Sequence, residues 1–382
     1  MTEGPGNART TSTSTSTGTS TGTDTDVAVV GAGVLGCMTA LEILARDPAA
    51  RVTVIDRDIA GSGATRRSAG LHFPRGVTER VRRMTAHSQD HYAKLLADRP
   101  ELPIHPVPMT VVAADASEAG VREVYLDSAG LTPVDAVPGV RLPEGHRAWH
   151  VRGGQYADVH ALTQLLARDL RGRAVLREGT RVTTLEPGPE GVRLGLATGE
   201  TLTAGRVVLA PGPWLADPAW RELVAPLGAR VKKIVALHLD LAPAPDDGVT
   251  VFHDEDAFLL PFSHRGHWLF SYTCQDWDVD PDTVGDGGLS AADLREALAV
   301  LDRYLPARSD PSRVSGRVFC DAYGPAGEPL VTALTADHRV VFAGAANGSG
   351  YRLAPALAAE AADLLDLPLA LSLDHSQERR EP

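Results

Sequence analysis

The sequence predicts an α/β fold that begins with a nucleotide-binding βαβ unit, and three observations support this. An apolar, β-branched run at residues 27–30 precedes a glycine-rich stretch, and an apolar helical stretch follows it to about Ala45. A second β-branched run at 51–55 ends at Asp56, 20 residues after Gly36. The glycine-rich stretch consists of Gly31, Ala32, Gly33, Val34, Leu35 and Gly36. Strand, GxGxxG, helix, strand and acidic residue in this order are typical of a dinucleotide site.

Each glycine of this unit has a physical role. Gly31 permits a tight turn, Gly33 lets the backbone approach a diphosphate, and Gly36 allows close packing of helix on strand. The free N–H groups and positive dipole end of the helix then face the diphosphate. Asp56 lies at the usual reach to a ribose hydroxyl. We therefore expect a dinucleotide at this end of the chain.

Composition bounds the class of protein. The chain has 382 residues, so two packed domains are expected, and 43% hydrophobic with 23% charged residues is close to globular averages. A net charge of −12 opposes phosphate backbones, so nucleic acid is not expected as a partner. No run approaches eighteen apolar residues, so no membrane span is expected.

Cysteine usage and the chain ends complete this outline. The three cysteines are widely spaced and form neither a disulfide framework nor a zinc pattern, so a reducing cytoplasm and no metal site are expected. Residues 1–25 alternate Thr, Ser and Gly without an apolar core, which predicts a disordered leader rather than a signal peptide. Residues 371–382 are expected to be a loose tail.

Four further blocks follow the βαβ unit in order. The first is a second glycine-rich segment, residues 61–70, where a nicotinamide-binding domain would continue with another β/α unit. The second is residues 153–158 before a helix, with Val182 in a later short strand. The third is residues 206–214. The fourth is the strand at 340–344, whose loop leads into an Ala/Leu helix.

These blocks resemble the flavin-contacting segments of the D-amino-acid oxidase, glycine oxidase and sarcosine oxidase superfamily, from about residue 26 to 370. The resemblance implies FAD, held by the residues of the first glycine stretch and by a second group. That group comprises Asp56, Arg57, Thr65, Arg66, Ser68, Ala69, Gly70, Val182, Ala210, Gly212, Trp214, Cys320, Gly348, Ser349, Gly350, Tyr351, Arg352 and Leu353.

The resemblance also implies the architecture. A discontinuous, Rossmann-like FAD-binding domain is expected from residues 26–75, 150–220 and 315–370. An α+β substrate domain with a mostly antiparallel sheet is expected from 76–149 and 221–314. Local patterns agree, because 231–241 and 268–273 have strand character and 291–305 has helical periodicity after a Ser290 cap.

Arg352 is the best candidate for binding substrate. In the sarcosine oxidases a basic residue follows an aromatic one in this loop and holds the substrate carboxylate; here the pair is Tyr351 and Arg352. A guanidinium binds a carboxylate through two hydrogen bonds, which fixes the direction of the substrate Cα. Tyr272 and His264 lie in the segment expected over the flavin and could orient an amine, although a structural role is an equal alternative.

Three positions depart from the sarcosine oxidase pattern. Leu269 stands where those enzymes carry a lysine that activates oxygen, and Ala69 stands where they carry a second active-site arginine. The electron acceptor is therefore O₂ or another compound. Cys320 lies about one residue from the position of their thioether to the flavin, so both a covalent FAD and an inert buried cysteine stay open.

The function that follows is an FAD-dependent, cytoplasmic oxidoreductase acting on a small molecule that carries a carboxylate and an amine. The amine of an amino acid, N-alkyl amino acid or cyclic imino acid would be oxidised to an imine by hydride transfer to flavin N5. Two alternatives stay open, oxidation of a 2-hydroxy acid and a non-catalytic flavin-binding subunit of a larger complex.

Overall fold

The computed structural model describes Met1 and residues 23–366, with only the backbone described at 285–287. The predicted tail and the predicted leader up to residue 22 lie outside the described residues. The end of the predicted leader belongs to the fold, because Arg51 donates a hydrogen bond to the Thr23 carbonyl and Thr25 begins the first strand.

The helices are α1 (Val34–Arg46), α2 (Ala64–Arg67), α3 (Glu79–Asp98), α4 (Glu118–Val124), α5 (Val159–Arg171), α6 (Arg221–Val224), α7 (Pro281–Gly287), α8 (Ala291–Tyr304) and α9 (Gly350–Leu364). The strands are β1 (Thr25–Val30), β2 (Val52–Ile55), β3 (Leu71–His72), β4 (Ile104–Pro106), β5 (Met109–Ala114), β6 (Thr132–Val134), β7 (His146–Val151), β8 (Gln155–Ala157), β9 (Val175–Arg177), β10 (Val182–Gly188), β11 (Gly191–Leu196), β12 (Thr201–Leu209), β13 (Arg230–Leu239), β14 (Val249–Phe252), β15 (Ala257–Phe262), β16 (His267–Tyr272), β17 (Val314–Tyr323), β18 (Leu330–Ala333) and β19 (Val340–Gly344).

The first sheet has a parallel centre in the order β9-β2-β1-β12-β19. Strand β12 pairs with β11 along its first half and with β19 along its second half, and β10, β11 and β18 are antiparallel additions. The chain thus places β2 on one side of β1 and returns to the other side with β12. This doubly wound order confirms the Rossmann-like domain.

Both faces of the first sheet are buried. Val29 and Val54 face one apolar cluster, which α1, α5 and α9 complete, for example with Ile43 and Leu162. The alternate residues face a second cluster that contains Trp220. Because side chains alternate across a strand, a sheet covered on both faces needs nearly continuous apolar strands, as the runs at 27–30 and 52–55 provide.

The second sheet has the order β17-β13-β16-β15-β14-β5-β7-β6. Its described strand pairs are antiparallel apart from β14 with β5, which confirms the mostly antiparallel sheet. Helix α8 packs on one face and begins with a capping box at Ser290. Strands β3, β8 and β4 form a third, small antiparallel sheet.

Two segments lie in a different part of the fold from the part expected from the sequence. Strand β17 belongs to the second sheet, although its residues were expected in the FAD-binding domain. Helix α3, expected in the substrate domain, places Val81 and Met84 against Leu353 and Leu357 of α9. Among the described residues, no helix combines the length and the apolar character needed to cross a membrane.

Candidate active site

A cleft of about 1290 Å³, counting space open to solvent, lies across the carboxyl ends of β2, β1, β12 and β19; we call it cleft A. Ligands of doubly wound sheets bind at this edge, where the strand order reverses. Among its lining residues are Gly31, Gly33, Val34, Leu35, Gly36, Asp56, Arg57, Thr65, Ser68, Val182, Ala210, Gly212, Trp214, Gly348, Gly350 and Tyr351.

Two glycines shape the turn between β1 and α1. Gly31 has a φ of +107°, and a Cβ there would lie 2.2 Å from the Ala210 carbonyl oxygen. A Cβ on Gly36 would lie 1.8 Å from the Gly31 carbonyl oxygen. Any larger residue at either position would force α1 away from the sheet, so these glycines hold the start of the helix at the cleft.

The N-terminus of α1 is open toward cleft A. Its N-cap, Gly33, makes no side-chain cap, and the first turn contains no acidic residue. The Val34 N–H donates to Thr65 Oγ1 at 3.1 Å, while Leu35 and Gly36 line the cleft. Such a helix end offers free N–H groups and partial positive charge to a diphosphate.

Asp56 lies beside this helix end. Its two carboxylate oxygens accept hydrogen bonds from the Ala32 N–H at 2.6 Å and from the Asp58 N–H at 2.8 Å. Burial nevertheless raises the pKa of the carboxyl group. The backbone bonds hold Asp56 in place, and its remaining lone pairs can accept a ribose hydroxyl.

The loop between β19 and α9 supplies the opposite side of cleft A. Its backbone turns through positive φ angles at Ala345 (49°), Asn347 (53°) and Gly348 (72°). The Asn347 side chain accepts from the Gly324 N–H and donates to the Ala345 carbonyl, each at 3.1 Å, which fixes this turn. Helix α9 then starts at the cleft without a side-chain cap and without an acidic residue in its first turn. With two open helix ends and a buried carboxylate, the residues present fit FAD.

A second cavity, cavity B, lies between the β19–α9 loop and the second sheet. It shares Ser68, Asp321, Gly348 and Tyr351 with cleft A. Its other lining residues include Ala69, Gly70, Phe73, Arg75, Ile234, His253, Asp256, Ser271, Thr273, Phe319, Tyr323, Asn347, Ser349 and Arg352. A molecule in cavity B therefore touches whatever lies at the adjoining end of cleft A.

Arg352 is a buried cation in cavity B, 7% exposed. Its Nη2 donates to Ser349 Oγ at 2.6 Å, its Cζ lies 4.9 Å from the Phe73 ring centroid, and its Nη1 has no partner among the described residues. Burial, and secondarily the charge of Arg75, lower the pKa of Arg352 to about 9. An unpaired buried guanidinium in the first turn of a helix is electrostatically costly, and a bound anion would lower that cost.

Packing behind Arg352 fixes its position. The Tyr92 hydroxyl donates to the Tyr351 carbonyl at 2.6 Å, and the two rings stack with centroids 4.7 Å apart. His72 is fully buried, and burial together with the nearby Arg352 lowers its pKa to about 3. The histidine is therefore neutral and adds no second charge beside Arg352.

Asp321 lies where cleft A meets cavity B. Burial raises its pKa to about 6, and no hydrogen bond or charge on a described neighbour offsets that burial. No motif in the sequence indicated this residue. The alternation of β17 was the available signal, because Phe319, Asp321 and Tyr323 all line cavity B.

Six predicted site residues line neither cleft A nor cavity B. Ala32 contributes only its N–H to Asp56, Arg66 is exposed on α2, and Leu353 packs against α3. The other three are Tyr272, His264 and Cys320, which lie outside the lining of both cavities.

Tyr272 and Cys320 point away from cavity B for the same reason. Ser271 and Thr273 line cavity B, so Tyr272 between them faces the cluster under α8. Likewise Phe319 and Asp321 line the cavity, so Cys320 faces the opposite side of β17. His264 lies instead with its Nε2 3.3 Å from Asp158 Oδ2, at the N-terminus of α5.

The structure also shows where Leu269 and the three cysteines lie. Leu269 is fully buried in the apolar cluster of the second sheet and supplies no charge. Cys37, Cys274 and Cys320 are buried and unpaired. No group of three or more potential metal ligands occurs among the described residues.

The chain is similar in sequence to a curated bifunctional protein. It is 27% identical over 353 residues to the tRNA 5-methylaminomethyl-2-thiouridine biosynthesis bifunctional protein MnmC of Ralstonia nicotianae, an alignment covering 85% of this chain and 51% of that protein. The chain thus spans about half the length of this curated relative.

Two oxidases are among the solved structures that share the fold. Glycine oxidase of Geobacillus kaustophilus superposes with a TM-score of 0.73 at 20% identity, over 90% of this chain and 94% of that one. The FAD-bound L-alpha-glycerophosphate oxidase of Mycoplasma pneumoniae gives 0.73 at 16% identity, over 92% and 97%. The family model described as DAO, FAD dependent oxidoreductase, matches residues 26–364, and with this match over most of its length the chain belongs to that family of FAD-dependent oxidoreductases.

Proposed function

We propose that this enzyme oxidises the amine of a small substrate that also carries a carboxylate: an amino acid, an N-alkyl amino acid or a cyclic imino acid. The observation that carries the proposal is the unpaired, buried guanidinium of Arg352 in the cavity that adjoins cleft A. A substrate carboxylate would take the free Nη1 and neutralise the charge.

Binding at Arg352 also orients the substrate. A carboxylate held by two hydrogen bonds leaves the Cα one bond away, so the reacting carbon would point to the junction at Ser68, Asp321 and Gly348. FAD, when bound along cleft A, supplies the acceptor of a hydride from that carbon. The chain's own contribution is anchoring and orientation, and the resulting imine would be hydrolysed by water.

The partners follow from the same features. A net charge of −12 disfavours a polyanion such as the tRNA in the curated relative's name, so we propose a small molecule as the substrate. The unpaired, buried cysteines fit a reducing compartment, and we propose the cytoplasm. Leu269 is apolar and supplies no positive charge that would promote a reaction of the reduced flavin with oxygen. Both O₂ and another electron acceptor therefore stay open.

The proposal is tested by anaerobic bleaching of the flavin absorbance. The purified protein would be mixed with L- and D-amino acids, N-methyl amino acids and proline, each beside its matched 2-hydroxy acid. Bleaching by an amine and not by its hydroxy acid is the expected result. Bleaching by hydroxy acids alone would mean that the enzyme oxidises an alcohol and that the proposed amine substrate is wrong. The absence of bleaching by every compound would indicate a non-catalytic flavin-binding subunit.

A further inference from the structure

We propose that Asp321 binds the substrate's ammonium group and takes one of its protons, so that the amine is neutral when its carbon is oxidised. The inference rests on the proposed function, in which Arg352 holds the substrate's carboxylate. It assigns a catalytic role to a residue of β17 that lies far from the glycine motifs in the sequence.

The position of Asp321 is the first argument. Cleft A and cavity B share four of the residues named above, and among these Asp321 is the one carboxylate. A substrate atom that reacts with FAD must lie at this junction. Ser68 and Tyr351 are neutral there and Gly348 has no side chain, so Asp321 is the group that can accept a proton from the reacting end of the substrate.

Charge complementarity is the second argument. Arg352 is a cation without a carboxylate partner, and Asp321 is a carboxylate without a cation, both within cavity B. Two unpaired charges of opposite sign match an amino-acid zwitterion, whose carboxylate would face Arg352 and whose ammonium would face Asp321. A 2-hydroxy acid has no cation for Asp321 and would leave the carboxylate unpaired.

The neighbouring charged groups leave Asp321 available. Lys232 lies opposite on β13, but its Nζ lies over Trp277, 4.6 Å from the ring centroid, and near the Tyr323 ring at 5.6 Å. Tyr351 of α9 is buried, and burial raises the pKa of its hydroxyl well above its usual value. Arg67 of α2 and Asp280, the N-cap of α7, act electrostatically on the Cys320 thiol. The charges of Arg75 and Asp256, which also line cavity B, act on Arg352.

The proton moves from the substrate's nitrogen to a carboxylate oxygen of Asp321. One N–H bond of the ammonium breaks, its electron pair stays on nitrogen, and an O–H bond forms on Asp321. The Cα hydrogen would then leave as hydride, for which bound FAD would be the acceptor, and the nitrogen lone pair would form the C=N bond. Asp321 later returns the proton to water. Its pKa near 6 suits this task, because the group is ionised at neutral pH and can still be protonated.

The test compares two unreactive ligands by the change they cause in flavin absorbance. Isobutyrate carries a carboxylate alone, and 2-aminoisobutyrate carries the same skeleton with an ammonium but no Cα hydrogen. Wild type should prefer 2-aminoisobutyrate at pH 7.5, and Asp321→Asn should weaken its binding by about tenfold to a hundredfold without weakening isobutyrate. Asp278→Asn, which removes an exposed carboxylate that pairs with Arg230 and lines neither cavity, should keep the preference.

The pH dependence provides a readout that needs no variant. In wild type the Kd for 2-aminoisobutyrate should rise below about pH 6, as Asp321 gains a proton, whereas the Kd for isobutyrate should fall. An unchanged preference in Asp321→Asn, or parallel pH profiles for the two ligands, would overturn the role of Asp321 even if amino acids bleach the flavin. If wild type binds neither ligand, the carboxylate anchor fails, and both proposals fail with it.

Discussion

The Arg57 guanidinium lies over the indole ring of Trp214, with its Cζ 4.2 Å from the ring centroid. Arg57 Nη2 and Trp214 Nε1 both donate to Asp282 Oδ1 at 2.7 Å. Arg57 and Trp214 line cleft A, whereas Asp282 belongs to α7. These three side chains therefore connect α7 to the edge of the cofactor site.

The first prediction concerns this connection. Asp282→Ala removes the acceptor shared by Arg57 and Trp214, so both side chains gain freedom and FAD should dissociate more readily. A loss of about 1–2 kcal/mol corresponds to roughly 5- to 30-fold weaker FAD binding. FAD fluorescence titration of the apoprotein measures it. Asp278→Ala removes a comparable surface ion pair, with Arg230, away from the cleft and should leave FAD binding unchanged. Equal affinities in the two variants would contradict the prediction.

The second prediction concerns the anion site. Arg352→Gln should retain bound FAD and lose affinity for carboxylate ligands, because the charged donor is absent. A loss of about 2–4 kcal/mol means a Kd increase of about 30-fold or more for isobutyrate. Arg75→Gln should have a smaller effect, since Arg75 is less buried than Arg352. Flavin absorbance titration gives both constants, and an unchanged Kd in Arg352→Gln would exclude the anchoring role.

Local motifs explain why part of the site was predictable. Turn geometry depends on neighbouring residues, so Gly31 and Gly36 indicated both the turn and the helix end that the structure shows. Asp56 followed from its place at the end of the next strand. These features need no knowledge of distant segments, and they supplied most of cleft A.

The remainder depends on contacts between distant segments and on strand register. Arg57 and Asp282 are 225 positions apart in the sequence, and no local sequence pattern predicts their ion pair. A shift of one residue decides which side of a strand faces the cavity, so Tyr272 was predicted in the site and Asp321 was missed. The second sheet carries cavity B, and its strands contain no motif comparable to GxGxxG.

The third prediction is that FAD is held without a covalent bond to Cys320. Cys320 itself lines neither cleft A nor cavity B, and its two neighbours Phe319 and Asp321 both line cavity B. Burial also raises the pKa of this thiol to about 12, which keeps it protonated and unreactive. After acid precipitation the flavin should stay in the supernatant. Flavin that remains with the pellet in wild type and is released in Cys320→Ser would contradict this.

The fourth prediction links Asp321 to stability. Its pKa is about 6 in the folded protein against a usual value of 3.8, so the folded state binds the proton more tightly than the unfolded state. The contribution of Asp321 to the free energy of unfolding therefore falls as the pH rises from about 4 to about 6. Above pH 6 the ionised carboxylate lowers the free energy of unfolding by up to about 3 kcal/mol. Asp321→Asn avoids this cost, because the amide carries no charge at any of these pH values.

Asp321→Asn should accordingly raise the thermal midpoint of the FAD-loaded protein at pH 7.5, and the gain should shrink to about half at pH 5. The comparison is made by differential scanning fluorimetry at matched ionic strength, with FAD in excess so that cofactor loss does not enter. Asp256→Asn is the matched control: its carboxylate is exposed, so its removal should leave the difference between the two pH values unchanged. An Asp321→Asn variant whose gain is equal at pH 5 and pH 7.5 would mean that the carboxylate titrates normally. A proton acceptor tuned by burial would then be the wrong description of Asp321.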